Sequence, residues 1–535
     1  MRWLALASVL AFFAVAAPTG GATTGHTLCV GPGPHCYPTL AGALATSSDG
    51  DTIVIAPGTY AGGVVVERSV TIVGAGAYAT IIKGGGPVIE IGDESRSAEP
   101  DVSIRGVTIT GGDNETVPNA WDPFGGGVFV APPLGPQGPG LAGNVSISDS
   151  IITGNRVTNS QTVDFGMPCP GGSDCPGANP VGGGIASWGN LTLTNTTVSN
   201  NVATTQDVFT GGGGIAEQKG SLTLNGVQVT GNTASATPPY GLNATGGGIR
   251  IGDGEALTIH DSVVADNTLS AANSLQSPFD GGQFLDEDVH GAGIAAGDGG
   301  TAAIDASRID GNTIRLSMPN GEPFVYDAAM CVCGATPLTL TGTSVTGNRI
   351  SAVVASTADS APVGGILEAD FSATIDHVRV VGNSISVRSD SGTAGAIGTL
   401  AAFDQGPGPI VFSNGLVSGN TVTAVSRTGT AQVQGAGVAN DGLLDLRDTT
   451  VAANVASALA PSGFAQGGGV WNGELNPGPG PVSSLSLESS LVTLNAVVGP
   501  QGVSRAGGGI FTVGFPVSLS RTRVAANLPD NCAGC

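Results

Sequence analysis

The chain has 535 residues, with 88 glycines, 33 prolines, 40% apolar and only 4% aromatic residues. Its 18 lysines plus arginines stand against 41 aspartates plus glutamates, for a formal net charge of −23. That balance argues against a nucleic-acid partner, which would be met by clustered positive charge, and keeps the protein soluble.

Arg2 followed by the apolar run Trp3 to Ala17 reads as an export signal, with Ala14-Val15-Ala16 as a cleavage pattern and Ala22 as a second candidate end. Residues 1–22 are therefore expected to be a signal peptide and 23–535 a single domain. No later stretch reaches about 18 uninterrupted apolar residues, so no membrane helix is expected. The eight cysteines fall into four local pairs, Cys29/Cys36, Cys169/Cys175, Cys331/Cys333 and Cys532/Cys535. In an exported chain such pairs favour disulfides over a zinc site. Cys331-Val332-Cys333 is the awkward pair, because a bridge across one residue is strained; it bridges elsewhere or stays reduced.

Between 37 and 46, Leu40, Ala43 and Leu44 sit at i, i+3 and i+4, which predicts a short amphipathic helix as a lid on the first coil. Strands follow at Thr52-Ile53-Val54-Ile55-Ala56, Val64-Val65-Val66, Val70-Thr71-Ile72-Val73 and Thr80-Ile81-Ile82. From Asn155 onward a phrase repeats: a glycine cluster ending in one aliphatic residue, an alternating strand, then a second short strand closing on asparagine. Gly182-Gly183-Gly184-Ile185, Leu191-Thr192-Leu193-Thr194 and Val198-Ser199-Asn200-Asn201 form its clearest copy. The closing asparagine recurs as Asn155, Asn201, Asn232, Asn267, Asn312, Asn348, Asn383, Asn420, Asn454, Asn495 and Asn527. That period is the signature of a solenoid. Three short strands per coil are expected, in about 12–14 coils spanning 52–527, with a disulfide-stapled end at 528–535 and a rod of some 55–65 Å at roughly 4.8 Å per strand. The recurring asparagine suits a left-handed corner and a side-chain hydrogen-bond ladder. The length variation after it, for example at 156–181, 202–210, 268–290 and 349–362, is read as loops on one side of the rod, where function is placed.

The stretch Gly50-Asp51-Thr52-Ile53-Val54-Ile55-Ala56-Pro57-Gly58-Thr59-Tyr60 followed by Val70-Thr71-Ile72-Val73-Gly74-Ala75-Gly76 resembles the N-terminal end of right-handed parallel β-helix proteins of the pectin-lyase-like superfamily. The later Gly-Gly-Gly-Ile and Val-x-Gly-Asn units are similar to repeats of secreted bacterial β-helix proteins such as the polymorphic outer-membrane group. The resemblance implies an all-β, right-handed parallel β-helix and leaves activity open, because one fold hosts many functions.

The densest polar stretch runs from Asp280 to His290, with Asp286-Glu287-Asp288 and His290. Alternation lets Asp286 and Asp288 converge, so they are the candidate calcium ligands; with His290 and Arg308, or Arg315, they are the candidate catalytic set. A solvated loop accounts for the same residues. The Asn-Thr-Asp, Asp-Asp, Gly-His-Gly and Arg-Ile-Lys motifs of polygalacturonase-like members of the superfamily are absent, and Ser307-Arg308-Ile309-Asp310 ends in aspartate where lysine is needed. Trp471 and Phe511 share a register and face outward, either as a sugar platform or covered by a neighbouring loop. The expected function is that of an exported extracellular or cell-surface protein, monomeric, a non-enzymatic binding or structural module that meets a polysaccharide or another surface protein through its loop face. No cofactor beyond calcium is called for. The alternative is a polysaccharide lyase or glycoside hydrolase acting on an acidic polysaccharide.

Overall fold

The computed structural model describes residues 25–92, 99–115, 124–133, 140–160, 181–206, 209–238, 243–273, 288–318, 324–332, 337–357, 363–369, 372–402, 409–475 and 483–535. The expected signal segment, Asp286, and Cys169, Cys175 and Cys333 lie outside them.

All strand pairs between named strands of the described residues are parallel, and the chain winds as a parallel β-helix. One turn of the coil shows why. Ser221–Asn225 enters sheet I, Gln228–Thr230 sheet II, Thr233–Ala236 sheet III, Asn243–Thr245 the short sheet V and Ile249–Ile251 sheet IV, before Ala256–His260 returns to sheet I one strand further on. Sheets I, II and IV hold 15, 14 and 14 strands, sheet III holds 11, and sheet V and its later counterpart, sheet VI, hold four each. Fifteen strands at roughly 4.8 Å give a rod of about 65 Å.

Sheet III and the two short sheets correct the three-strand coil. The stretches after each asparagine, expected as loops, open with strands such as Arg156–Asn159, Val202–Thr205 and Arg349–Val354. Val157, Ala203 and Ile350 turn inward and are fully buried, so these segments pack against the lumen before any excursion begins. Excursions leave both between sheets III and IV and between sheets IV and I, not from one corner alone.

The lumen is filled by stacked aliphatic side chains. One column of sheet I runs in unbroken register from Ile53 through Ile104, Leu193, Ile259, Ile375 and Phe412 to Leu487, and each of these is at most 1% exposed. Burial of this kind is worth about 1.5–3 kcal/mol per side chain before the entropy of ordering is subtracted.

The asparagines form the expected ladder. Each Nδ2 donates to the Oδ1 of the next, from Asn155 to Asn527 and finally to Asn531, at 2.9–3.2 Å. The left-handed residue at that corner is not the ladder asparagine, as the sequence suggested, but the one before it: Gly347 at φ 64°, Asn200 at φ 54°. The ladder also explains the glycine cluster. A Cβ on Gly214 would sit 2.9 Å from Asn232 Nδ2 and 2.7 Å from the Gly248 carbonyl oxygen, and Gly212 takes φ 62°.

The ten-residue capping helix is not found. A single turn, Leu40–Leu44, capped by Thr39, is all that is helical, and its Leu40 and Ala43 are fully buried. The first edge of sheet I is instead the strand Thr27–Val30, paired with Thr52–Ile55 and tied back by the Cys29–Cys36 disulfide. Val30 and Tyr37 bridge, so residue 37 belongs to the strand end and cannot start a helix. At the other end Cys532 and Cys535 are joined by a disulfide, and Cys331 is disulfide-bonded too.

Candidate functional site

The candidate residues of the dense polar stretch fall on different sheets. Asp288 and His290 bound a strand of sheet V, where His290 pairs in register with Thr245 and Tyr326 and is half-buried. Arg308 lies on sheet II, which sheet III separates from sheet V in chain order. Its guanidinium Nη2 is 2.6 Å from Asp310 Oδ2, and its side chain is 65% exposed. Among the described residues, then, His290 and Arg308 are not brought together. Arg315 is elsewhere again, on the outer face of sheet III.

Most of the outward face of sheet IV is covered. Its middle position is alanine at Ala186, Ala216, Ala295, Ala401 and Ala439, each at most 6% exposed. Trp471 and Phe511 occupy the same position, pair in register, and are 4% and 8% exposed against Ile397 and Leu475. They are covered, which leaves no open sugar platform there. Four copies break the apolar pattern: Glu90, Arg250, Cys331 and Glu368.

Arg250 extends over the Phe209 ring at 4.9 Å from its centroid and donates from Nη1 to Gln218 Oε1 at 2.7 Å. Burial draws its pKa down to about 10, against the opposing charge of Asp253. Gly211 makes room for it, since a Cβ there would be 2.5 Å from Arg250 Cδ.

Two coils on, Cys331 and Glu368 are register partners, and Asp327 holds φ 64° where other coils place the first glycine of the cluster. One ligand-type atom from each of Asp327, Cys331 and Glu368 lies within 4.8 Å of the others, all buried. The donor set does not fit a metal. Cys331 is in a disulfide, so it offers no thiolate, and two carboxylates fall short of the six to eight oxygens that calcium takes.

Inside the lumen, Glu217 is 0% exposed, and neither carboxyl oxygen completes a hydrogen bond. Burial pushes its pKa well above the usual carboxylate range; the Ser187 hydroxyl, the Lys219 N–H and Glu255 act on it more weakly. Burial therefore favours its protonated form.

Sheet I presents an open polar surface. Ser103, Ser146, Thr192, Thr223 and Thr258 face outward in one register row. Beside them an exposed ladder runs from Asp101 Oδ1, accepting from Asn144 Nδ2 at 2.9 Å, through Asn190 Nδ2 to Asn144 Oδ1 at 3.0 Å, to Ser221 Oγ on Asn190 Oδ1 at 2.9 Å. Asp101, Ser103, Asn144, Ser146, Asn190 and Thr192 line a shallow groove of about 340 Å³. Farther along the same face, His260 Nδ1 meets Asp305 Oδ2 at 2.8 Å and His377 Nδ1 meets Asp376 Oδ2 at 2.7 Å, all at the exposed corner with sheet II. Hydrogen bonds from Ser413, Asn414 and His377 hold the Asp376 pKa down to about 2.

Glu217, Asp327 and Glu368 were not singled out by the sequence. Their one signal was the interruption of a pattern, as where Asp327-Ala328-Ala329-Met330 replaces Gly-Gly-Gly-Ile. No helix among the described residues is long and apolar enough to cross a membrane. No protein-family model matches the chain, and neither does any curated protein or solved structure.

Proposed function

We propose that the chain is an exported, monomeric, non-enzymatic β-helix of the pectin-lyase-like kind that binds a carbohydrate polymer lengthwise along sheet I. The observation that carries this is the groove over the Asp101–Asn144–Asn190 ladder. Its hydroxyls and amides repeat at the strand spacing of roughly 4.8 Å, a regular row of donors and acceptors for the hydroxyls of an extended sugar chain. Most of the outward face of sheet IV is covered, whereas sheet I leaves a row of hydroxyls and amides open. The affinity of such a shallow site would come from repetition along the rod.

The alternative, a lyase or hydrolase acting on an acidic polysaccharide, draws on the two exposed His–Asp pairs, since an imidazole oriented by a carboxylate is a general-base arrangement. Cleavage also needs a proton donor. Asp376, ionised down to a pH of about 2, is a poor one. Binding is therefore the better reading.

Affinity electrophoresis of the full chain through gels containing neutral and acidic polysaccharides tests it. Retardation by at least one polymer, reduced in Asn144→Ala/Asn190→Ala with the polymer length unchanged, is the expected result. Polymer shortening that disappears in His260→Ala would transfer the assignment to the enzymatic alternative.

A further inference from the structure

We propose that the outward face of sheet III, from Thr313 to Val498, docks on an anionic lipid surface. Arg315, Arg349 and Arg388 stand on three successive strands, Thr313–Met318, Arg349–Val354 and Ser384–Ser389, and all three are exposed. Arg427 follows the next strand, and Arg505 lies on the adjoining sheet VI; both are exposed. In a chain of net charge −23, the sheet III strands from Thr313 onward and all four strands of sheet VI contain no aspartate or glutamate. Asp390 borders the face, 3.6 Å from Arg427, with both side chains at least 75% exposed. Such a pair is loose and leaves the guanidinium able to exchange partners.

Charge is half of the pattern. Val353, Arg388, Val425 and Leu459 form one register row across four strands, so an arginine sits between aliphatic side chains that point the same way. Val353, Leu459 and Val498 are 41%, 45% and 42% exposed. A cleft of about 560 Å³ opens among Arg388, Arg427, Leu459, Pro461 and Pro500. Isolated aliphatic groups gain nothing from sugar hydroxyls or from a phosphodiester chain. At a lipid interface they reach the acyl boundary while the guanidinium groups rise to the phosphates. Asp113 and Glu115 lie at the other end of sheet III, and Asp305, Asp310, Asp376 and Asp445 lie on sheets I and II, so salt near 0.1 M screens their repulsion over about 10 Å without screening the direct contacts. This face shares no residue with the sheet I groove, so either assignment can fail while the other stands.

The test is co-sedimentation of the full chain, in about 0.1 M salt, with phosphatidylcholine vesicles that contain or lack about 30% phosphatidylglycerol. The chain is expected to sediment with the anionic vesicles only. Arg315→Gln/Arg349→Gln/Arg388→Gln should lower the partition coefficient roughly tenfold or more. Val353→Ser/Leu459→Ser should lower it severalfold, and Asn190→Ala should leave it unchanged. The arginine, Val353 and Leu459 positions are exposed and Asn190 is half-buried, and a melting temperature close to the parent's verifies that each variant is folded. Absence of sedimentation with anionic vesicles overturns the proposal, as does full retention by the arginine variant. So does a Val353→Ser/Leu459→Ser variant that binds like the parent while soluble polygalacturonate competes, which would reveal a polyanion site instead.

Discussion

Asn312 and Asn348 are joined twice across one coil step: the backbone N–H of Asn312 and its Nδ2 both donate to Asn348 Oδ1, at 2.9 and 3.0 Å. Asn348 Nδ2 in turn donates to Asn383 Oδ1 at 3.1 Å and to the Ile309 carbonyl at 2.8 Å. Every hydrogen-bonding site of a fully buried amide is thereby used, and no other side chain has this shape and this set of donors and acceptors.

Asn348→Ala should accordingly destabilise the rod by about 3 kcal/mol or more, because it takes the acceptor from two buried donors on Asn312 and one donor each from the Ile309 carbonyl and Asn383 Oδ1. Asn190→Ala, in the exposed ladder of sheet I, should cost less than about 1 kcal/mol, since water replaces its partners. Thermal denaturation of the two variants side by side measures the difference. Equal losses would mean that burial is not what gives the inner ladder its weight.

The ladder was legible in the sequence because each coil must supply one asparagine whatever its length. Sheet III was not legible. Its early strands are built from small residues, as in Thr233-Ala234-Ser235-Ala236, and alternation of alanine with serine or threonine carries little hydrophobic contrast. Arg349-Ile350-Ser351-Ala352-Val353-Val354 alternates better, but its outward Val353 is exposed and blurs the pattern. The helix at 37–46 failed for a different reason: its periodicity was real, yet Tyr37 is held in a bridge to Val30 and only one turn remains. For the candidate sites, the sequence showed which residues are polar but not which sheet each belongs to. His290 and Arg308 are close in the chain and lie on sheets V and II.

Glu217 makes stability depend on pH in the sense opposite to an ion-paired carboxylate. Its folded pKa lies above the ordinary 4.5, so between 4.5 and the raised value the folded state holds a proton that the unfolded state has lost. The contribution is fully present below pH 4.5 and is lost as the pH rises through that window. Glu217→Gln keeps the shape, cannot ionise, and should raise the melting temperature at pH 7 by a few degrees while changing little at pH 4. Parallel melting curves for variant and parent across that range would contradict a neutral buried acid.

Trp471 is a packing residue and should behave as one. Trp471→Ala empties a covered site against Ile397, Phe511 and Leu475 and should cost about 3–5 kcal/mol. Polysaccharide retardation per folded molecule should not change. A variant with parental stability and lost retardation would restore the sugar-platform reading for this position.

Gly211 and Arg250 test the covered seam itself. An alanine at 211 places a methyl 2.5 Å from Arg250 Cδ and 3.0 Å from Thr245 Oγ1, so the arginine must leave the Phe209 face or the backbone must shift. Gly211→Ala should cost about 1–3 kcal/mol, the usual range for overpacking. Arg250→Ala alone should be destabilising as well, through the lost ring contact and the lost bond to Gln218. In the double variant the methyl finds the space that the arginine vacated, so the two losses should fall short of additivity by about 1 kcal/mol or more. Chemical denaturation of the four chains in this cycle measures the coupling. Strict additivity would show that Gly211 is required by Thr245 and not by the arginine stacked on Phe209.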